Sequence, residues 1–111
     1  MSAGRLDERV LFQAPVSSAD GQGGTINGWA TGFSRWAGYI RLRGGETVLA
    51  ARLSGVQPTV IRVRADPETL TIDPTWRATD ERTGEVFAIR AVVLSDDRAF
   101  IDVTAESGVA A

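Results

Sequence analysis

The stretch Gly84-Glu85-Val86-Phe87-Ala88-Ile89-Arg90-Ala91-Val92-Val93 decides the fold class. Every second residue from Phe87 to Val93 is apolar, and this two-residue period is typical of a β-strand that buries one face. Gly84 ends a turn that begins at Asp80, and a glycine there supplies the positive φ that tight hairpin turns require. The stretch therefore predicts one strand of an antiparallel hairpin, with its alternate apolar residues facing a core.

The same alternation recurs in four further segments of the chain. They cover residues 9–13, 34–42, 59–65 and 98–104. In the second segment, Trp36, Gly38, Ile40 and Leu42 share the face predicted to point inward, which places Tyr39 outside. Five strands separated by turn residues predict an all-β fold, either a small antiparallel β-barrel or a sandwich.

Two segments depart from the strand pattern. Residues 45–54 are predicted to form one short α-helix, in which Leu49 and Leu53 lie one turn apart. Glu46 near its start and Arg52 near its end complement the helix dipole, and so short a helix needs support from the sheet or a neighbour. Residues 16–28 are rich in Gly, Ser, Asn and Asp, and this composition predicts a long, mobile hairpin loop.

The length and composition indicate one domain over residues 1–111. With 111 residues of which 43% are hydrophobic, the chain can bury about two-thirds of its surface on folding, which is enough for one modest core. The C-terminal stretch 106–111 is predicted to be flexible.

The chain lacks the residue types that most catalytic mechanisms require. The sequence contains no His, no Cys and no Lys, and all twelve basic residues are Arg. Thiolate nucleophiles, zinc-thiolate sites, Schiff-base lysines and P-loop lysines are therefore excluded, as is the usual general base near neutral pH. A carboxylate-based hydrolase would still be possible with these residue types. The acidic pairs, however, fall at predicted turns or near the N-terminus, where they are expected to be solvated charges. We expect no enzyme, no cofactor and no metal site.

The charge balance argues against two further classes. Fourteen acidic residues against twelve arginines leave a net charge of −2, whereas a free-standing double-stranded DNA binder usually carries a basic surplus. No run of 18 apolar residues exists, and the first ten residues have no apolar core of a signal peptide. We expect a soluble, intracellular chain with no membrane partner.

Arginines and aromatic residues are the candidate binding groups. Arg41 and Arg43 flank the end of a strand, Arg52 lies on the predicted helix, and Arg62 and Arg64 share a strand face. They fit either a solvated charged face or a basic strip that contacts phosphates or an acidic partner.

The aromatic residues fall into two groups. Phe33, Tyr39 and Phe100 lie opposite the apolar faces of their strands, where they either cover a second side of the sheet or mark an interface. Trp29, Trp36 and Trp76 are predicted to anchor the core or its edge.

Several segments line up, in order, with one family. They are Ala3-Gly4-Arg5-Leu6-Asp7-Glu8-Arg9-Val10 with Phe12-Gln13, Asp20-Gly21-Gln22-Gly23-Gly24 with Trp29, Trp36-Ala37 and Ile40-Arg41 running into Gly45-Glu46 and Ala50, Ile61-Arg62-Val63-Arg64, and Gly84-Glu85-Val86-Phe87-Ala88-Ile89. With these segments the chain resembles the small head–tail joining proteins of tailed bacteriophages, also called head-closure or stopper proteins. The resemblance covers residues 3 to about 106.

The resemblance implies a small β-barrel or sandwich with one short helix and no catalysis. It also implies a homo-oligomeric ring, hexamer or dodecamer, in the neck of a virion or of a gene-transfer-agent-like particle made in the bacterial cytoplasm. The partners would be the portal or adaptor protein above, a tail protein below, and double-stranded DNA in transit through the channel that the ring lines or closes.

With this resemblance, we assign hypothetical roles to three groups of residues. Arg41, Arg43 and Arg52 would face the lumen and the DNA; Asp20, Gly21, Gly23, Gly24 and Trp29 would form a docking loop; and Glu46, Leu49 and Leu53 would make the helix contacts. The alternative is a monomeric small-β module that binds single-stranded nucleic acid through Tyr39, Phe100 and the arginine strip.

Overall fold

The computed structural model describes residues 6–19, 21–41 and 57–107. Its eight strands and one 3₁₀ turn follow in chain order. They are β1 (Glu8–Gln13), β2 (Pro15–Ala19), β3 (Thr25–Trp29), β4 (Phe33–Arg41), β5 (Gln57–Arg64), the 3₁₀ turn (Thr69–Thr71), β6 (Arg77–Asp80), β7 (Val86–Leu94) and β8 (Phe100–Ser107). The helix predicted over residues 45–54 lies outside the described residues. None of the helices in this part of the chain is long and apolar enough to span a membrane.

Six strands close into an antiparallel barrel with the order β1-β4-β5-β8-β7-β6, in which β6 pairs back onto β1. The all-β prediction is confirmed, and the barrel is the form that the fold takes. Closure pairs both edges of every barrel strand, which removes the exposed sheet edges that would otherwise attract other chains.

The core consists of side chains that point into the barrel. All six barrel strands contribute fully buried side chains to it, with one each from β4 and β6. These residues are Val10, Phe12, Ala37, Ile61, Val63, Ala78, Phe87, Ile89, Ile101, Val103 and Ala105. In β5 and β8 the two-residue period predicts that Ile61, Val63, Ile101 and Val103 point inward, and all four are buried.

The inward face of β4 was predicted wrongly. Ala37 is fully buried and Phe33 and Tyr39 pack against the core, whereas the Trp36 side chain is 55% exposed. Both faces of this strand carry apolar residues, so its own sequence cannot decide which face turns inward. The register with β1 decides, since Arg9 pairs with Trp36 on the outside of the barrel.

A β-bulge corrects the prediction for the second half of β7. Pairing with β8 shifts between Ile89 and Ala91, so Phe87 and Ile89 point inward but Val92 replaces Val93 against the core. Val93 is left 58% exposed. An extra residue in one strand reverses the side-chain alternation beyond it, which a strict two-residue period cannot anticipate.

Three short strands and the end of β8 were not predicted. Residues 16–28, predicted as a loop, contain β2 and β3 paired as a two-stranded hairpin, with a loop only at its tip. The strand β6 has four residues and links β1 to β7. The last strand continues to Ser107, which is buried, so the stretch predicted to be flexible begins inside β8.

The connections hold the barrel ends with local hydrogen bonds. The turn from Asp80 to Gly84 joins β6 to β7, and Gly84 has φ +78° as predicted. Asp66 accepts hydrogen bonds from the backbone N–H groups of Glu68 and Thr69 at 2.8 Å each, which starts the 3₁₀ turn of the 66–74 link.

Candidate functional site

The β2–β3 hairpin, residues 15–29, is called the arm here, and it projects from the barrel. Its strands pair only with each other among the described strands, in a register that runs from Pro15–Trp29 to Ala19–Thr25. Five residues per strand extend about 17 Å, at roughly 3.3 Å per residue. Gly21 and Gly23 at the tip have φ +83° and +86°, backbone conformations that residues with a side chain rarely adopt.

The arm is fixed to the barrel at its base. The Ala30 N–H donates to the Ala14 carbonyl at 2.9 Å, and Gln13 Nε2 donates to the Ala30 carbonyl at 3.1 Å. The Arg77 guanidinium lies 4.5 Å from the centroid of the Trp29 ring. These contacts set the direction in which the arm leaves the barrel.

One face of the arm carries uncovered apolar side chains. The register puts Val16 opposite Gly28 and Ile26 opposite Ser18, so Val16 and Ile26 share a face. They are 46% and 57% exposed. A two-stranded hairpin is marginally stable alone in water, so an uncovered arm with apolar residues is suited to packing against another molecule.

The outer face of the barrel carries a second candidate surface, the cation–aromatic row of Arg9, Trp36, Arg64 and Phe100. Arg9 pairs with Trp36, and Arg64 pairs with Phe100. Ala37 pairs with Val63, so the adjacent residues Trp36 and Arg64 lie opposite each other on β4 and β5. The two pairs therefore form one row across β1, β4, β5 and β8. The guanidinium of Arg9 lies 5.2 Å from the centroid of the Trp36 ring, and that of Arg64 lies 5.7 Å from the centroid of the Phe100 ring. Cations and aromatic faces at these distances attract each other.

Two arginines of this row lack acidic partners among the described residues. Neighbouring Arg62 forms a two-pronged ion pair with Asp102 at 2.7 and 2.8 Å. Arg35 is neutralised by Asp66, at 2.9 Å, and by Glu68. No described carboxylate lies within ion-pair distance of Arg9 or Arg64, so the row offers two positive charges to a partner.

A hollow of about 380 Å³ opens beside the row. It is lined by Leu6, Arg9, Arg35, Trp36, Arg64 and Asp66. It joins an exposed indole to the two arginines without acidic partners and is large enough for one or two side chains of another molecule.

The structure describes five of the eleven residues predicted as site residues. Arg41 ends β4, with its backbone paired to Thr59. The remaining lumen, helix and loop-start residues, namely Arg43, Arg52, Glu46, Leu49, Leu53 and Asp20, lie outside the described residues. Gly21, Gly23 and Gly24 form the exposed tip of the arm, whereas Trp29 lies at its base. The described docking-loop residues thus belong to one element, and the lumen cluster stays a prediction.

Arg9 and Trp36 are the residues that sequence reasoning missed. The sequence pattern places Trp36 in the core and gives Arg9 no role beyond the first strand. Alternating arginine and aromatic residues are visible in the separate strands of the sequence. Only the strand register shows that they lie side by side in one row. Within the described ranges, no three acidic residues converge as a metal ligand set.

Comparison with known proteins then identifies the family. The family model of the phage head completion protein matches residues 1–108. The chain belongs to this family. The comparison with curated proteins gave no significant match. The head completion assignment agrees with the resemblance seen in the sequence motifs.

Two solved structures share the fold of this family member. One is a chain from the virion of a native gene transfer agent particle, with 26% identity, a TM-score of 0.67, and 96% of this chain and 99% of that chain covered. The other is the solution structure of protein SF1141 from Shigella flexneri 2a, with 21% identity, a TM-score of 0.74 and full coverage of both chains. The second likeness supports the barrel fold alone.

Proposed function

We propose that the protein is a structural component of the virion neck, or of the neck of a phage-like particle, and that it joins the head to the tail. The observation that carries the proposal is the arm, an exposed hairpin whose apolar face is uncovered. Membership of the head completion family and the likeness to a chain of a gene transfer agent virion support it. The role is structural and needs no catalytic group.

In this role the arm docks on the adjacent ring of the neck. Val16 and Ile26 bury their side chains on the docking partner, which is either the portal or adaptor side or the tail side. Both side chains are already about half buried, so covering the rest is worth about 2 kcal/mol per subunit, and a ring multiplies this through its copies.

The test is a pair of substitutions in the arm, Val16→Ser with Ile26→Ser, in a particle-producing strain. Joining of tails to filled heads should fall strongly, and the purified chain should keep its folding stability because both side chains are exposed. The control is Leu70→Ser, which exchanges an equally exposed apolar residue on the 3₁₀ turn. Normal joining with the doubly substituted arm would contradict the docking role.

The proposal extends to a ring, hexamer or dodecamer, around the DNA channel. Arg41, Arg43 and Arg52 line the lumen and meet DNA phosphates, and the net charge of −2 does not oppose this because DNA meets only the inner face. Arg43→Ser with Arg52→Ser should leave assembly intact and lower DNA retention in the particles. The matched control is Arg82→Ser with Arg90→Ser, since both of these arginines are ion-paired on the barrel surface. Equal DNA retention in the two double variants would contradict the lumen assignment.

A second candidate function is favoured by the cation–aromatic row. Exposed aromatic rings among arginines are the platform on which proteins stack single-stranded nucleic acid. If this were the function, the isolated chain would bind a thymidine oligonucleotide, and the affinity would fall steeply with salt. Absence of binding at low salt would eliminate this alternative.

A further inference from the structure

The arm has two outer edges, and they are not equivalent. One edge is formed by β2 and the other by β3, because these strands pair only with each other among the described strands. In an antiparallel pair, opposed residues alternate between those that exchange hydrogen bonds and those that do not, and the latter turn their N–H and C=O groups outward. The position of these residues decides what each edge can bind.

The base of the arm fixes this alternation. The Ala30 N–H donates to the Ala14 carbonyl at 2.9 Å, and these two residues stand opposite each other one step beyond the Pro15–Trp29 pair of the register. Ala14 and Ala30 are therefore a hydrogen-bonded pair, and every second pair along the arm is not. The non-bonded pairs are Pro15–Trp29, Ser17–Asn27 and Ala19–Thr25. Their backbone groups point away from the hairpin.

The β2 edge is protected beside the barrel, whereas the β3 edge is not. Pro15 has no N–H group, so the β2 edge lacks a donor there. On β3, Thr25, Asn27 and Trp29 each turn a donor and an acceptor outward, and no hydrogen bond to another described part of the chain uses these groups. Natural sheets protect exposed edges with proline, charged side chains or bulges, and the described residues of the arm include no charged one. The β3 edge can therefore pair with another strand.

Two other occupants fit this edge less well. Two copies that pair the same edge are related by a twofold axis, whereas neighbours in a ring of more than two subunits bring different surfaces together. Nucleic acid is disfavoured because the described residues of the arm carry no positive charge to offset phosphates. An extended strand of a different protein meets neither objection.

We infer that the β3 edge of the arm binds an extended strand of a protein in the adjacent ring, so that the arm docks as part of a three-stranded sheet. The inference rests on the proposed function, which supplies the adjacent ring. A two-stranded hairpin is marginally stable in water, and a third strand with an apolar face stabilises it. Main-chain hydrogen bonds supply affinity in this mode of binding, and alternate side chains supply specificity.

The arm also defines the side-chain pattern of the added strand. Successive side chains of a strand point to opposite faces of its sheet. On the face of Val16 and Ile26, both exposed, the added strand carries apolar side chains that extend the apolar surface. On the face of Asn27 it carries uncharged polar side chains. The partner is thus a strand of alternating apolar and uncharged polar residues.

A pair of proline substitutions tests which edge is used. Asn27→Pro removes an outward N–H from β3, and Ser17→Pro removes the outward N–H of its cross-strand partner in β2. Neither N–H takes part in pairing within the arm, so both hairpins should stay paired. In a particle-producing strain, Asn27→Pro should lower the fraction of heads joined to tails about tenfold or more, as the loss of edge hydrogen bonds implies. Ser17→Pro should leave this fraction unchanged.

Proton NMR of each purified variant shows whether the arm itself is intact. The two residues of a non-bonded pair have their Cα atoms only about 4.5 Å apart. A contact between the Hα protons of positions 17 and 27 therefore reports that the hairpin persists. Only variants with this contact are compared in the joining assay.

Hydrogen exchange of the unmodified chain gives a readout that needs no substitution. In particles that carry tails, the N–H groups of Thr25, Asn27 and Trp29 should exchange about tenfold or more slowly relative to the isolated chain. The N–H groups of Ser17 and Ala19 on the β2 edge should exchange at the same rate in both.

Several results would overturn the inference. They are normal joining with Asn27→Pro, failed joining with both proline variants while their hairpins are intact, and equal exchange of the β3 groups in particles and in the isolated chain. A dimer of the isolated chain that Asn27→Pro dissociates would place a second copy on the edge and also overturn it. The same holds if a thymidine oligonucleotide slows exchange of the β3 groups in the isolated chain.

Failure of the proposed function gives a different result. If Val16→Ser with Ile26→Ser blocks joining but Asn27→Pro does not, the arm docks through its side chains and only the strand addition is wrong. If neither variant affects joining, the docking role of the arm and the strand addition are both wrong.

Discussion

At the scale of single residues, the barrel depends on a buried carboxylate at one end. Asp80 is 2% exposed. Its Oδ2 accepts a hydrogen bond from the Tyr39 hydroxyl at 2.7 Å, and its Oδ1 accepts from the backbone N–H groups of Arg82 and Thr83 at 2.8 and 3.0 Å. One side chain therefore ties β4 to the β6–β7 turn, and removal of a donor leaves a buried charge poorly compensated.

Tyr39→Phe should lower the free energy of unfolding at neutral pH by about 2 kcal/mol, the usual worth of a hydrogen bond to a charged group. The ring still packs near Phe87, with centroids 5.9 Å apart, so the apolar contact is retained. Urea denaturation followed by tryptophan fluorescence measures the change. An unaltered unfolding midpoint would show that the hydroxyl does not stabilise the barrel.

The same group predicts the direction of the acid response. Burial alone would raise the pKa of Asp80, but the hydrogen bonds from Tyr39, Thr83 and Arg82 and the Arg82 charge bring it below its ordinary value. A lowered folded-state pKa stabilises the fold above the unfolded value of about 4, and this contribution disappears as pH falls through the folded pKa. The cost of Tyr39→Phe should therefore shrink as the pH is lowered below 4, and a cost independent of pH would contradict the assignment.

A glycine fixes how closely the chain before β4 approaches β1. A Cβ atom at Gly32 would stand 1.7 Å from the backbone oxygen of Phe12. Gly32→Ala should destabilise the protein by about 2 kcal/mol or more, because the backbone of β1 must move. Gly28→Ala is the control, since nothing lies within 4 Å of its Cβ position. Thermal unfolding of both variants would test this, and equal melting temperatures would refute the close approach.

At the scale of elements, the sequence predicts the long barrel strands and misses what depends on register. The alternation in β5 and β8 correctly predicts that Ile61, Val63, Ile101 and Val103 point inward. In β4 both faces carry apolar residues, and in β7 the bulge reverses the second half, so Trp36 and Val93 were misplaced. The arm was predicted as a loop because its strands bury nothing, and periodicity detects a strand only through burial.

Of the candidate site, the sequence located the arm but not the outer row. The Gly-rich tip and Trp29 marked the arm by composition and by resemblance to the family. Arg9, Trp36 and Arg64 lie far apart in the chain, and only the pairing of β1, β4 and β5 brings them into one line.

The arm should be separable from the barrel. Replacing residues 18–26 by Asn-Gly joins Ser17 to Asn27, which are paired partners, through a two-residue turn. The free energy of unfolding should change by less than about 0.5 kcal/mol, as is usual for exposed positions, while head–tail joining is lost. A large loss of stability on urea denaturation would mean that the arm supports the barrel and does not act as a separate docking element.

At the scale of the whole molecule, closure of the barrel and exposure of the arm serve different purposes. The closed barrel leaves no free edge on its own strands, so a partner of the barrel must recognise side-chain surfaces such as the cation–aromatic row. The arm keeps unpaired strand edges and exposed apolar side chains, which can contact a different partner from the one that contacts the barrel. A small domain arranged in this way is suited to the joining role proposed above.

A cryo-electron microscopy reconstruction of the neck of assembled particles would test the joining role directly. We expect a closed ring of barrels between head and tail, with each arm reaching into the adjacent ring. A neck that contains the chain as isolated copies, or particles that join heads to tails without it, would contradict this role.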